Sequence, residues 1–181
     1  FRTVLRRHLV HQMNADERAA LNKRASAWFS SRGLIEEAVG CALESGAIDV
    51  ASNLIETHAA DVFNREQWPQ TERWLRRLPS EAVRHRPGLM IASAWISQLR
   101  AQYGEIEPLL ESAETQLSQT SRREDAASIY YGQIDALRGG ALILSGSLRS
   151  GFDKVHSAWE RLPAEQAFPR RVALSYMAIA G

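Results

Sequence analysis

Apolar residues recur every three to four positions along almost the whole chain, and the interruptions fall at Gly, Pro or a capping residue. That rhythm predicts eleven helical segments. Residues 2–12 carry Leu5 and Leu9. Asn14 and Glu17 have capping-box spacing and open a helix bearing Leu21, Ala25, Trp28 and Phe29, which Gly33 stops. Ile35, Ala38, Val39, Ala42 and Leu43 stripe the next segment up to Gly46. So little chain joins these two that they must fold back as an antiparallel hairpin. Ile48, Ala51, Ile55, Ala59 and Val62 predict a helix over about 49–65, and Thr71, Trp74, Leu75 and Leu78 a shorter one ended by Pro79. A short turn of helix after Ser80 leads to Pro87. Ala92, Trp95, Ile96, Leu99 and Tyr103 stripe a helix ended by Gly104, and Ile106, Leu109, Leu110, Ala113 and Leu117 stripe its partner. Ser121 and Glu124 repeat the capping-box spacing ahead of a long helix through Ala126, Tyr130, Ile134, Leu137, Ala141 and Leu144 to Gly146. Leu148, Phe152, Val155, Trp159 and Leu162 define its partner, and 168–180 opens a further hairpin.

Two internal similarities point to a repeat architecture. Trp74 to Pro79 reads W-L-R-R-L-P and Trp159 to Pro163 reads W-E-R-L-P, 85 residues later, each followed within two residues by Glu. A helix, one glycine and a second helix also recur at Gly33, Gly104 and Gly146. Each hairpin carries an apolar stripe that it cannot bury alone, so the expected fold is all-α, with antiparallel hairpins stacked as a tetratricopeptide-like right-handed superhelix. The strict 34-residue consensus is absent, which makes the repeats degenerate.

Composition agrees: Ala, Leu, Arg and Glu supply 80 of the 181 residues, and Val, Ile and Thr only 23. With 45% hydrophobic residues the chain can bury a real core, which excludes disorder. The formal net charge is +1, so no whole-molecule field draws it to nucleic acid or acidic membranes. A single cysteine, Cys41, excludes an internal disulfide and a thiolate-rich zinc site and fits a reducing compartment. The apolar run at 139–144 is far too short to span a bilayer, for which about 18 residues are needed. The chain begins at Phe1 with no charged-then-apolar leader and reads as an excerpt of a larger cytoplasmic protein.

No catalytic, cofactor or metal site emerges. His8 and His11 share a helical face but have no third ligand nearby, and His58 beside an apolar stripe reads as a boundary histidine. Asp153, His156 and Ser157 contain the residue types of a hydrolase triad, yet neighbours on one helical turn diverge and cannot align. Gly139, Gly140, Gly146 and Gly151 match no phosphate-binding loop and read as close helix packing and a turn. Cys41 has no cation within a turn to activate it. Of Trp28, Trp68, Trp74, Trp95 and Trp159, all but Trp68 fall on apolar stripes and read as core wedges, Trp95 and Trp159 above all. Arg73, Arg76, Arg77, Arg84 and Arg86 form the densest basic patch. The default for such a patch is a solvated face with local acidic partners, and the sharper reading is a contact to another domain or an anionic ligand.

The run W-F-S-S-R-G-L-I-E-E-A-V-G-C-A-L-E-S-G from Trp28, then D-V-A-S-N-L-I-E, W-L-R-R-L-P and R-P-G-L-M-I-A-S-A-W, resembles the MalT-type family over roughly residues 1–118. These are large bacterial ATP-dependent transcriptional regulators with a LuxR-type DNA-binding end. The opening F-R-T-V-L-R-R-H-L lacks the second aromatic residue and its histidine expected there. The resemblance implies the end of a winged-helix or preceding helical domain over 1–14, a helical arm over 15–86, and the first hairpins of a tetratricopeptide-like sensor over 87–181. It implies a regulatory segment, not an enzyme, whose partners are other domains of the same regulator and a small-molecule or protein effector, with self-association left open. ATPase and DNA-binding modules would lie outside this chain, so no cofactor and no direct nucleic-acid contact are expected here. The alternative is a stand-alone tetratricopeptide-like adaptor that binds a partner protein or peptide.

Overall fold

The computed structural model describes residues 13–119 and 124–181. The expected helix at 2–12, His8, His11 and the Ser121 end of the second capping box lie outside the described residues. All described elements are helical: α1 (Ala15–Ser31), α2 (Ile35–Glu44), α3 (Ile48–Asn64), α4 (Trp68–Leu75), α5 (Ser80–Arg84), α6 (Pro87–Leu99), a 3-10 turn (Tyr103–Glu105), α7 (Ile106–Gln119), α8 (Glu124–Leu144), α9 (Leu148–Arg161) and α10 (Ala167–Ala180). The all-α fold built from helical hairpins is borne out. Two compact units meet between His58 and Ala59, inside α3.

In the first unit, α1 begins where the capping box predicts. The Glu17 N–H donates to Asn14 Oδ1 at 2.8 Å and the Asn14 N–H to Glu17 Oε2 at 2.9 Å, which together are worth about 1 kcal/mol. The α1–α2 hairpin buries Ala38, Val39 and Ala42, and its seam on α1 is Ser26, whose hydroxyl donates to Ala38 O at 2.8 Å. Trp28 lies two positions from Ser26, on a different face. It is therefore no core wedge: it is 50% exposed, with the Arg32 guanidinium 4.6 Å above its ring.

The second unit buries Ala59, Phe63, Met90, Ile91, Trp95, Leu110, Ala113, Leu137, Val155 and Phe168 in one core. Its helices α6 and α7 pack together, as do α8 with α9 and α10 with both. Arg138, 19% exposed, ties α8 to α7 through Glu107 at 2.6 Å and Glu114 at 2.8 Å. Trp95 is 2% exposed, as its stripe predicts, and donates from Nε1 to Gln133 Oε1 at 2.9 Å. Trp159 departs from that expectation. It is only half-buried, and the Arg170 guanidinium stacks 3.8 Å from its ring. Arg170 also donates to the carbonyls of Trp159 and Leu162.

The buried face of the α8–α9 pair also differs from the predicted stripes. Along α8 the seam runs through Gly132, Ala136, Gly139 and Ile143, while Gly140 lies against Tyr176 of α10 and Leu144 is 57% exposed. On α9 it runs through Gly151, Val155 and Ala158 to Leu162, while Leu148 and Phe152 face outward. A Cβ added at Gly139 would lie 2.6 Å from Val155 Cγ1 and 2.9 Å from Gly151 O, and one at Gly151 would lie 2.8 Å from Gly139 O. The helices cross at backbone contact, so small residues occupy the seam and large ones are displaced from it. The reading of these glycines as close packing holds.

Helix α6 ends at Leu99, not at Gly104. Ala101 takes the left-handed conformation (φ 58°), and the N–H groups of Ala101 and Gln102 close on Gln98 O and Ser97 O. Glu66 plays the same part after α3 (φ 61°), where Gly33, Gly46 and Gly146 end other helices. Tyr103 consequently leaves the predicted stripe for the 3-10 turn and is 55% exposed. The start of α10 depends on a distant residue. Its own N-cap, Gln166, makes no side-chain capping bond; instead Asn64 Oδ1 accepts from the Phe168 N–H at 2.8 Å and Asn64 Nδ2 donates to Glu165 O at 2.6 Å.

Candidate interdomain surface

Three of the five predicted arginines sit on one exposed face. Arg73, Arg76 and Arg77 are three and four residues apart along α4 and its C-terminal turn, and all three are exposed. The helix starts at Trp68 with Pro69 in its first turn, and it buries Thr71 and Trp74 on the opposite side. That burial holds α4 against α6 and aims the arginines outward.

Between the two helices lies Glu72, its side chain 13% exposed. Its Oε1 accepts from Arg76 Nη2 at 2.8 Å, and its Oε2 accepts from Arg100 Nη2, beyond the end of α6, at 2.6 Å. The Arg100 guanidinium stands 5.5 Å from the Trp68 ring centroid. Arg100 was not part of the predicted cluster. It is 24 residues from Arg76 in sequence, and only the packing of α6 on α4 brings it in. Arg73 Nη1 reaches Pro69 O at 3.5 Å. Arg84 and Arg86 belong to another local set: Arg84 faces Glu81 at 3.7 Å, and Arg86 is the half-buried N-cap residue of α6.

The hydrogen bond from Arg100 holds the Glu72 carboxyl below its ordinary range; burial opposes this, and the charges of Arg100 and Arg76 reinforce it. A carboxyl group with a lowered folded-state pKa stabilises the fold fully above its unfolded pKa, near about 4.3, and loses that contribution as pH falls through the folded value. Glu72→Gln is therefore expected to flatten the loss of stability between those two pH values. Unfolding midpoints measured from neutral pH down to pH 3 would check this, and equal slopes for both proteins would refute it.

The other candidates are dispersed. His156 Nδ1 lies 3.9 Å from Glu160 and Ser157 Oγ is 3.4 Å from Asp135, so the triad residue types share no site. Asp135 instead gathers Lys154, Ser157 and Arg161 between α8 and α9. His58 and Cys41 are half-buried on their helices. Among the described residues, no three His, Cys, Asp or Glu side chains gather as metal ligands. No helix among them is long and apolar enough to cross a membrane. An open groove beside the start of α1 is lined by Met13, Glu17, Ala20, Leu21 and Arg24.

This arrangement, an outward arginine face on an all-helical scaffold, goes with a sequence that is similar to a segment of bacterial transcriptional regulators. The chain is 29% identical over 175 residues to the HTH-type transcriptional regulator MalT of Yersinia enterocolitica, covering 97% of this chain and 19% of that protein. It is 26% identical over the same length to MalT of Cronobacter sakazakii, with the same coverage. The likeness to MalT-type regulators is thus borne out, and it extends well past residue 118. The chain spans about a fifth of the length of these curated relatives. No family model matches it, and neither does any solved structure.

Proposed function

We propose that this chain is a regulatory segment of a MalT-like, LuxR-family transcriptional regulator of the cytoplasm. On this reading it couples the sensing of a small-molecule or protein effector to ATPase and DNA-binding modules outside these residues. The observation that carries the reading is similarity to MalT across 97% of the chain. The hairpins of the second unit act as the start of a tetratricopeptide-like sensor. The segment performs no catalysis and binds neither nucleotide nor duplex DNA by itself. The arm holds the sensor against the nucleotide-binding module in the resting regulator, and effector binding weakens that contact. Such a switch requires a contact made in only one of the two states, and exposed guanidinium groups facing another domain can supply it.

The test is charge reversal at Arg73 and Arg77 in the full-length regulator, with transcription from a target promoter measured without inducer. Basal transcription is expected to rise. A folded double variant with wild-type basal activity would refute this mechanism.

A further inference from the structure

We propose that Arg73, Arg76, Arg77 and Arg100, with the Trp68 ring against Arg100, form a docking surface for a carboxylate-rich protein segment. This deepens the reading above by naming the partner's chemistry and by adding Arg100. The first argument is stoichiometric. One carboxylate, Glu72, serves two guanidinium groups, so the patch keeps a surplus of positive charge even before Arg73 and Arg77 are counted. The second is geometric. Each guanidinium carries five N–H donors, and Glu72 engages one Nη2 of Arg76 and one of Arg100. The remaining donors belong to side chains 70% and 42% exposed.

Glu72 therefore does more than neutralise. By fixing two long side chains in place, it removes part of the rotamer entropy that a partner would otherwise have to overcome. The Trp68 ring, 5.5 Å from the Arg100 guanidinium, adds a cation–π contact that helps to hold this side chain in place. Arg73 and Arg77 extend the surface by one helical turn, the length over which successive acidic side chains of a peptide can each find a fork.

The experiment titrates a fluorescently labelled hexaglutamate peptide with the 181-residue chain and follows anisotropy at low and at raised ionic strength. Saturable binding is expected, weakening with salt and falling about tenfold or more in Arg77→Glu and in Arg100→Gln. Arg149→Glu, on an exposed position of α9, is expected to leave it unchanged. Circular dichroism checks folding, and Arg77→Glu keeps the test decisive should Arg100→Gln perturb the α4–α6 contact. Absence of saturable binding, or equal loss in Arg149→Glu, would overturn the proposal. So would displacement of the peptide by tripolyphosphate at much lower concentration than by unlabelled peptide, since the surface would then read phosphate. Normal peptide binding with unaltered basal transcription in the full-length variants would refute the switch mechanism alone.

Discussion

Gly139→Ala is expected to destabilise the protein by about 2–3 kcal/mol, although alanine is the better helix former. Two effects of opposite sign compete at this position. Replacing an interior helical glycine by alanine gains about 1 kcal/mol of helix propensity. Against that, the new methyl would meet Val155 Cγ1 at 2.6 Å and the backbone atoms Gly151 O and Val155 N at 2.9 Å. A side chain can rotate away, but backbone atoms cannot, so relief requires α8 and α9 to move apart along the whole seam. Overpacking in ordinary cores costs about 1–3 kcal/mol and occasionally more, and contact between two backbones belongs at the upper end. Gly40→Ala is the internal control. An added Cβ there meets nothing within 4 Å, so that variant should gain up to about 1 kcal/mol. Urea unfolding of both variants provides the measurement. If Gly139→Ala were stabilised as Gly40→Ala is, the close crossing would be wrong.

Trp95→Ala is expected to cost about 3–5 kcal/mol, whereas Trp159→Ala should cost about 1–2 kcal/mol. Trp95 is enclosed, stands edge-on to Phe168 with centroids 5.2 Å apart, and has its indole N–H satisfied by Gln133. Its removal opens a cavity in the middle of the core, which the surrounding helices fill only in part. Trp159 is half-exposed, and its principal partner is the Arg170 guanidinium. Truncation there forfeits a cation–π contact and some covered area, but leaves no buried void. Denaturation midpoints that fall equally in the two variants would show that the two tryptophans are packed alike.

The contrast between these tryptophans explains what the sequence could reveal. Where side chains and not bare backbone fill the seam, periodicity located the core correctly: Ala38, Val39 and Ala42 on α2, and Ile106, Leu110, Ala113 and Leu117 on α7, are all buried. Where backbones touch, the same rule misled. A stripe drawn through Leu144, Leu148 and Phe152 follows the heaviest residues, but glycine and alanine mark the true contact line of α8 and α9 and carry little hydrophobic weight. The stops at Gly33, Gly46 and Gly146 were legible, and so, to within a residue, was the end of α3; the stop made by Ala101 was not, because alanine does not advertise a left-handed turn. At the candidate surface, the local run Arg73, Arg76 and Arg77 could be read directly. Arg100 joins only through tertiary packing, and a cluster assembled across helices leaves no trace in spacing along one of them.

The cap that Asn64 provides for α10 bears on the order in which the second unit assembles. Hairpins such as α8–α9 close over short loops and can form early, whereas the Asn64–Phe168 bond spans 104 residues and must wait for that long loop to close. A contact absent from the folding transition state slows unfolding without speeding folding. Asn64 therefore acts as a latch on the finished unit. Asn64→Ala should raise the unfolding rate while leaving the folding rate nearly unchanged, and a stopped-flow chevron would detect the opposite behaviour as a slowed folding arm.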